Sequence, residues 1–265
     1  MTSSIERLRQ WEPMTLRDSK LGNDSTLRVI RSFNGIPEHD LAIEGWLVRE
    51  DASEDPILFL YGWNHPVMVL GFGQDPRSID QDACATLGVP VLRRISGGTG
   101  VLHGSDLAIS LILPVDHPWT RSIGGLYERF LAAILLAMQP LGVSLDRPAQ
   151  SRHHGKTRSP ICFEDNWGET LLAGGRKAIG CAQAWRKNRV LVHCTMLRGV
   201  DAALHASAFG VDASRILAAL GPVSDPPPSR KDLAQALVTA VSEALRLNPV
   251  LVASTPTSDE CEGTA

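Results

Sequence analysis

The sequence has no apolar run approaching the ~18 residues that a membrane-crossing helix needs. Its polar opening, Met1 to Trp11, lacks the apolar stretch of a secretory signal. It has no strong charge of either sign. The formal net charge is −3, which argues against general nucleic-acid binding. No internal repeat is visible. Cys-x-x-Cys is absent, and the five cysteines, at 84, 162, 181, 194 and 261, are odd in number. Neither a disulfide framework nor a zinc site is therefore indicated. Free thiols in a reducing cytoplasm are the expected setting. His153 and His154 lack a third ligand at a usual spacing, so no metal is expected there. With Arg152, Lys156 and Arg158 they make residues 150–160 a basic loop, either solvated or docking an acidic partner.

What is present is an ordinary globular composition: 265 residues, 43% hydrophobic and 21% charged. A chain of this size buries roughly 70–75% of its unfolded surface and can form a core unaided. Residues 1–250 are expected to form one catalytic domain. Residues 251–265, rich in Ser, Thr, Glu and Gly from Ser254 on, are expected to be a disordered tail.

Apolar patterning predicts strands at Leu27–Phe33, Pro56–Tyr61, Val67–Phe72, Val89–Leu92 and Ala108–Leu113. Helices are predicted at Asp40–Glu50, Ile79–Leu87, Leu126–Met138, Ala206–Leu220 and Lys231–Leu247. Gly88 closes the second of these. Ser229 and Asp232 form a capping box for the last. Pro118–Gly125 reads as a loop.

Between two of the strands lies Arg93-Arg94-Ile95-Ser96-Gly97-Gly98-Thr99-Gly100-Val101-Leu102-His103. The glycines remove side chains, permit positive φ and let backbone N–H groups approach a ligand. Such a loop can hold an acyl carbonyl, a carboxylate or a phosphate; it can also be a tight hairpin. It is not a Walker A loop, because no Gly-Lys-Ser/Thr follows. It is not a dinucleotide fingerprint, because the next segment reads as strand.

A second cluster follows at Ile161-Cys162-Phe163-Glu164-Asp165-Asn166-Trp167, Ala173-Gly174-Gly175-Arg176-Lys177-Ala178-Ile179-Gly180-Cys181-Ala182-Gln183 and Val192-His193-Cys194. The spacing predicts strand, Gly-Gly hairpin, strand, loop, strand. Lys177 lies in an apolar strand. It either points to solvent or is a fixed cation that polarises an acyl oxygen.

Arg-Arg-x-Ser-Gly-Gly-x-x-Val-x-His together with Gly-Arg-Lys-x-x-Gly-x-Ala-Gln, and a histidine about ten residues on, resembles the lipoate–protein ligase and octanoyltransferase family. The resemblance spans roughly residues 60 to 200. Cys162 stands fifteen residues before Lys177, as a cysteine does in the cysteine-dependent octanoyltransferase branch. Three departures stand out: Thr99-Gly100 after the paired glycines, Cys194 after His193, and Phe-Glu-Asp-Asn-Trp after Cys162.

The resemblance implies an α+β fold, a mixed, largely antiparallel sheet flanked by helices, shared with biotin–protein ligases. It implies transfer of an octanoyl (or lipoyl) group from acyl carrier protein to a lysine of a lipoyl domain, such as the glycine cleavage H protein or an E2 subunit. Neither nucleic acid nor membrane takes part, and no cofactor is implied. By position, Cys162 is the nucleophile, with Cys194 a weaker candidate, and Lys177 is the family lysine. Arg94, Ser96, Gly97, Gly98, His103, Gly180, Ala182 and His193 line the acyl site, and Cys181 is expected to pack. Two alternatives stay open. One is an ATP-dependent lipoate–protein ligase, which would use ATP and Mg. The other is a non-catalytic acyl- or biotinyl-binding relative.

Overall fold

The computed structural model describes residues 26–51, 53–148 and 169–252. Cys162, the basic loop 150–160 and the tail from Ser254 fall outside them. The fold is α+β, with a mixed, mostly antiparallel sheet between helices. In chain order the large sheet is built from β1 (Thr26–Phe33), β2 (Ile57–Gly62), β6 (Leu107–Pro114), β7 (Thr170–Ala173), β8 (Arg176–Trp185), β9 (Arg189–Met196) and β10 (Asn248–Leu251). Their spatial order is β10-β1-β2-β6-β9-β8-β7. β1 runs parallel to β10 and β2, and the remaining pairs are antiparallel. A small sheet, in the order β4-β3-β5, holds β3 (Val67–Leu70), β4 (Val91–Arg93) and β5 (Val101–His103).

Both faces of the large sheet are covered, which explains why β2 and β6 are near-continuous apolar runs and do not alternate. On one face, Leu58, Leu60, Ile109, Leu111, Val190 and Val192 pack against α3 (Ile123–Met138) and α6 (Arg230–Leu245) through Phe130, Ile134, Leu237 and Val241. On the other, Ile57, Phe59, Tyr61, Ala108, Ile112 and Leu191 pack against Ile43, Leu47 and Val48 of α1 (Pro37–Arg49) and against Val67 and Val69 of the small sheet. The small sheet's outer residues, Met68, Leu70 and Leu102, meet Cys84 of α2 (Gln81–Thr86), Phe209 of α4 (Ala202–Phe209) and Ile216 of α5 (Ala213–Ala219).

Several boundaries differ from the pattern-based expectation, each for a local reason. The segment Ala206–Leu220 is two helices, not one. Gly210 at φ +62 ends α4 in a left-handed cap, and Asp212 accepts the Ser214 N–H to start α5. α3 begins at Ile123, inside the expected loop, because Ser122 Oγ accepts the Gly125 N–H. β10, with Pro249 in it, was not expected. It lies at the sheet edge, where a missing N–H leaves no ladder bond broken. The Gly174-Gly175 hairpin is as expected, both residues at positive φ. So is the capping box, in which Ser229 Oγ accepts the Asp232 N–H at 3.1 Å.

Candidate functional site

The strands on either side of the glycine loop are not hairpin partners. Residues 94–100 join β4 to β5, the two outer strands of the small sheet, which are separated by β3. The loop is closed on itself by Arg94. Its Nη2 donates to the carbonyls of Gly97 at 2.7 Å and Thr99 at 3.1 Å, its Nη1 to Val69 O at 3.2 Å, and its Nε to Ser96 Oγ at 3.0 Å. Gly71, just after β3, backs onto the loop. A Cβ there would sit 2.0 Å from the Gly98 carbonyl oxygen, so only glycine fits. Gly98 itself has φ +95. Arg93 braces the outer side, with Nη1 donating to the carbonyls of Gly71, Phe72 and Gln74.

Beneath the loop lies a cleft. Its apolar wall is Leu41, Val69, Val101 and Ala108; its polar wall is Tyr61, Arg94, His103 and His193. β8 and β9 floor it at Gly180–Ala182 and His193–Thr195. Of the sequence-predicted acyl-site residues, Arg94, His103, Gly180, Ala182 and His193 line this cleft, and Ser96, Gly97 and Gly98 belong to the loop over it. His103 is held by Asp106, with Nδ1 2.5 Å from Oδ2, and its ring meets Trp63 edge-on at 5.1 Å. Burial alone would raise the Asp106 carboxyl, but the His103 ring and backbone amides outweigh it and hold the group below its usual range.

A chain of buried polar groups crosses behind the cleft. Ser96 Oγ and His193 Nε2 are 2.6 Å apart, and His193 Nδ1 is 3.0 Å from Glu44 Oε1. Ser110 Oγ (2.5 Å) and Tyr61 OH (3.2 Å) donate to the same carboxylate oxygen. Glu44 is 1% exposed. Burial pushes its carboxyl up, but the attraction of His193 and the hydrogen bonds of His193, Ser110 and Tyr61 together carry it below its usual value. Burial, and then the charges of Glu44 and Asp40, push the Tyr61 hydroxyl far up, so it stays protonated. Sequence motifs did not point to Glu44, Tyr61 or Ser110. The available signal was an acid on the apolar stripe of a helix: Asp40, Glu44, Leu47 and Val48 share the buried face of α1.

Lys177 is 3% exposed, so the solvent-facing alternative is excluded. A β-bulge accounts for its direction. β7 and β8 slip register between Leu171 and Leu172, and Ala178 and Ile179 both pack into the α3/α6 core. Without the bulge, strict alternation from Gly180 would turn Lys177 into that core; with it, Lys177 lies on the cleft side of the sheet. It stands outside the ring of residues that wall the cleft, and its carbonyl accepts the Gly221 N–H at 3.2 Å.

Cys194, the weaker nucleophile candidate, follows His193 on β9. Its register partners are Ile109 and Cys181, all on the α3/α6 side of the sheet, whereas His193 pairs with Ser110 and Ala182 on the α1 side. The Cys194 side chain therefore packs with the α3/α6 core, while its stretch of β9 also floors the cleft. Burial, and then its contact with Cys181, pushes its pKa far up. Neither position nor ionisation suits a nucleophile. Cys181 packs against the same core, as expected. Among the described residues no group of three or more His, Cys, Asp or Glu converges as metal ligands, and no helix is long and apolar enough to cross a membrane.

Comparison with known proteins places these features in a wider set. The family model for the lipoyl protein ligase A/B catalytic domain matches residues 37–242. Curated relatives named octanoyltransferase LipM include those of Anoxybacillus flavithermus, 30% identical over 71% of this chain and 71% of the relative, and Carboxydothermus hydrogenoformans, 34% identical over 64% and 63%. That of Bacillus subtilis is 30% identical over 66% of each. The chain thus spans about two thirds of these relatives' lengths. Among solved structures, a bipartite lipoate protein ligase with its E2 lipoyl domain from Thermoplasma acidophilum aligns with TM-score 0.70 at 21% identity, covering 89% of both chains. A lipoate-protein ligase A bound with ATP aligns with TM-score 0.68 at 22% identity, covering 89% of this chain and 91% of that one. At such identities the likeness is one of fold.

Proposed function

This chain belongs to the lipoyl protein ligase A/B catalytic domain family, and from that premise we propose that it is an octanoyltransferase of lipoate synthesis. It takes an octanoyl group from acyl carrier protein onto the thiol of Cys162 and passes it to a lysine of a lipoyl-domain protein. The single observation behind this reading is the cleft itself. It is a narrow cleft with an apolar wall beside a side-chain-poor loop, floored by β8 at Gly180 and Ala182 and by β9 at His193. That curated relatives are octanoyltransferases by name supports the octanoyl group.

The chemistry is one thioester exchange followed by aminolysis of the new thioester to an amide. The Cys162 thiolate attacks the donor carbonyl, and the carrier thiolate leaves and takes a proton. The lysine amine of the acceptor then attacks the Cys162 thioester, Cys162 leaves as thiolate, and the amine's proton passes to solvent or a base. The donor is already activated, so no nucleotide is consumed. A free cysteine with pKa near ~8.5 is only a few per cent ionised at neutral pH. A buried cation on the cleft side of the sheet, Lys177, would raise that fraction. That ammonium, or the Gly97 and Gly98 amides, would stabilise the oxyanion of each tetrahedral intermediate. Splitting the transfer lets two protein partners visit in turn.

The test is mass spectrometry of the full chain incubated with octanoyl carrier protein. One octanoyl adduct on Cys162, absent in Cys162→Ala together with transfer activity, supports the reading. A Cys162→Ala protein that still modifies a lipoyl domain from free lipoate and ATP overturns it in favour of an ATP-dependent ligase.

A further inference from the structure

We propose that Glu44 is a positioning residue for this acyl transfer, acting through His193 and Ser96 on the glycine loop; its activity readout rests on the function proposed above. The directions are bounded by two fixed ends, a guanidinium that only donates and a carboxylate that only accepts. A guanidinium can only donate, so Ser96 Oγ accepts from Arg94 Nε at 3.0 Å. At the other end the Glu44 carboxylate can only accept, so His193 Nδ1 carries a hydrogen and Ser96 Oγ, 2.6 Å from Nε2, is placed to give its own proton to that nitrogen. In the Nδ1–H tautomer Nε2 is the bare nitrogen that accepts it. Nδ1 carries the hydrogen and donates it to Glu44 Oε1 at 3.0 Å. The carboxylate oxygen accepts three donors in all, from His193, Ser110 and Tyr61.

The order acid, imidazole, hydroxyl is that of a nucleophilic triad. Here the hydroxyl is a link and not a nucleophile. Arg94 occupies its oxygen, and Ser96 is 1% exposed and outside the cleft wall. What the chain does is join three elements that are distant in sequence: α1, β9 and the loop. The same Arg94 that meets Ser96 holds the Gly97 and Thr99 carbonyls. Loss of the Glu44 acceptor frees the ring to take the Nε2–H tautomer. Nε2 would then donate to Ser96 Oγ, the buried serine proton would lose its acceptor, and the link that ties the loop to β9 would loosen.

The test pairs a direct readout with a kinetic one. Long-range proton–nitrogen correlation on protein with ¹⁵N-labelled histidine, assigned by difference with His193→Asn, reports the His193 tautomer. The expected wild-type result is Nδ1–H. Glu44→Ala should move the ring to Nε2–H and lower kcat by about tenfold to a hundredfold with KM nearly constant. Glu44→Gln, which keeps an acceptor oxygen at Nδ1, should hold the Nδ1–H form and recover most of kcat. An Nε2–H ring in the wild type overturns the inference whatever the Glu44 variants do. So does a folded Glu44→Ala protein with unchanged tautomer and kcat. A wild type that forms no octanoyl adduct sinks the proposed function instead, and the tautomer measurement is independent of that result.

Discussion

Gly71→Ala is the sharpest mechanical test of the site, because it adds one carbon where backbone meets backbone. The new Cβ would lie 2.0 Å from the Gly98 oxygen and 2.8 Å from its carbonyl carbon. An unstrained contact needs roughly 3.5 Å, so the loop must retreat by about 1.5 Å. No flexible side chain is available to absorb the shift. The bonds from Arg94 to the Gly97 and Thr99 carbonyls, at 2.7 and 3.1 Å, would stretch past useful length. Overpacking of this kind costs about 1–3 kcal/mol, a fall of several degrees in Tm for a chain of this size. A displacement of about 1 Å in a reaction site costs on the order of a hundredfold in rate. The matched control is two residues away: a Cβ on Gly73 has no atom within 4 Å and needs no unusual φ. Octanoyl transfer to a lipoyl domain, followed by intact mass, gives kcat/KM, and calorimetry gives Tm. Gly71→Ala should lose about a hundredfold in kcat/KM while remaining folded, and Gly73→Ala should stay within about twofold. A folded Gly71→Ala protein with wild-type kcat/KM would refute the assignment of this loop to the acyl site.

Two further outcomes follow from buried groups. Lys177→Met keeps the apolar stem and removes the charge. Transfer should drop by about a hundredfold to a thousandfold with little change in melting, and unchanged transfer would remove Lys177 from the chemistry. His117 is held neutral by burial, and secondarily by Arg129, with its pKa lowered to about 4. Between pH 6.5 and 4 the unfolded chain therefore binds a proton that the folded chain does not, and stability falls as pH falls through that window. The loss is about 2 kcal/mol between pH 6.5 and 5. His117→Asn keeps an acceptor for the Trp119 N–H and should flatten the profile. Urea titrations at the two pH values decide it, and parallel curves for both proteins would contradict the assignment.

The parts of the site legible along the chain were those whose chemistry is local. Arg94, Ser96, the paired glycines and His103 form one uninterrupted string, and the Gly174-Gly175 turn is set by backbone sterics that act within four residues. Helix starts were legible where the cap was a residue type, as at Ser229, and were missed where glycines follow the cap, as after Ser122. Glu44 was not legible as a site residue. Its helix could be read, but nothing nearby in sequence shows that β2, β6 and β9 deliver Tyr61, Ser110 and His193 to one carboxylate oxygen.

By itself, then, the sequence determined which strands are apolar on both faces, where glycine is needed, and which short strings resemble an acyl-transfer family, because those depend on neighbours within a turn or two. Tertiary structure decided which way the side chains of the second motif point. A one-residue bulge between β7 and β8 turns Lys177 to the cleft side of the sheet, and the pairing of β9 with β6 and β8 sends His193 to the cleft and Cys194 to the helices. Strand faces alternate with a period of two, so one extra residue, set by pairing and not by composition, inverts the outcome.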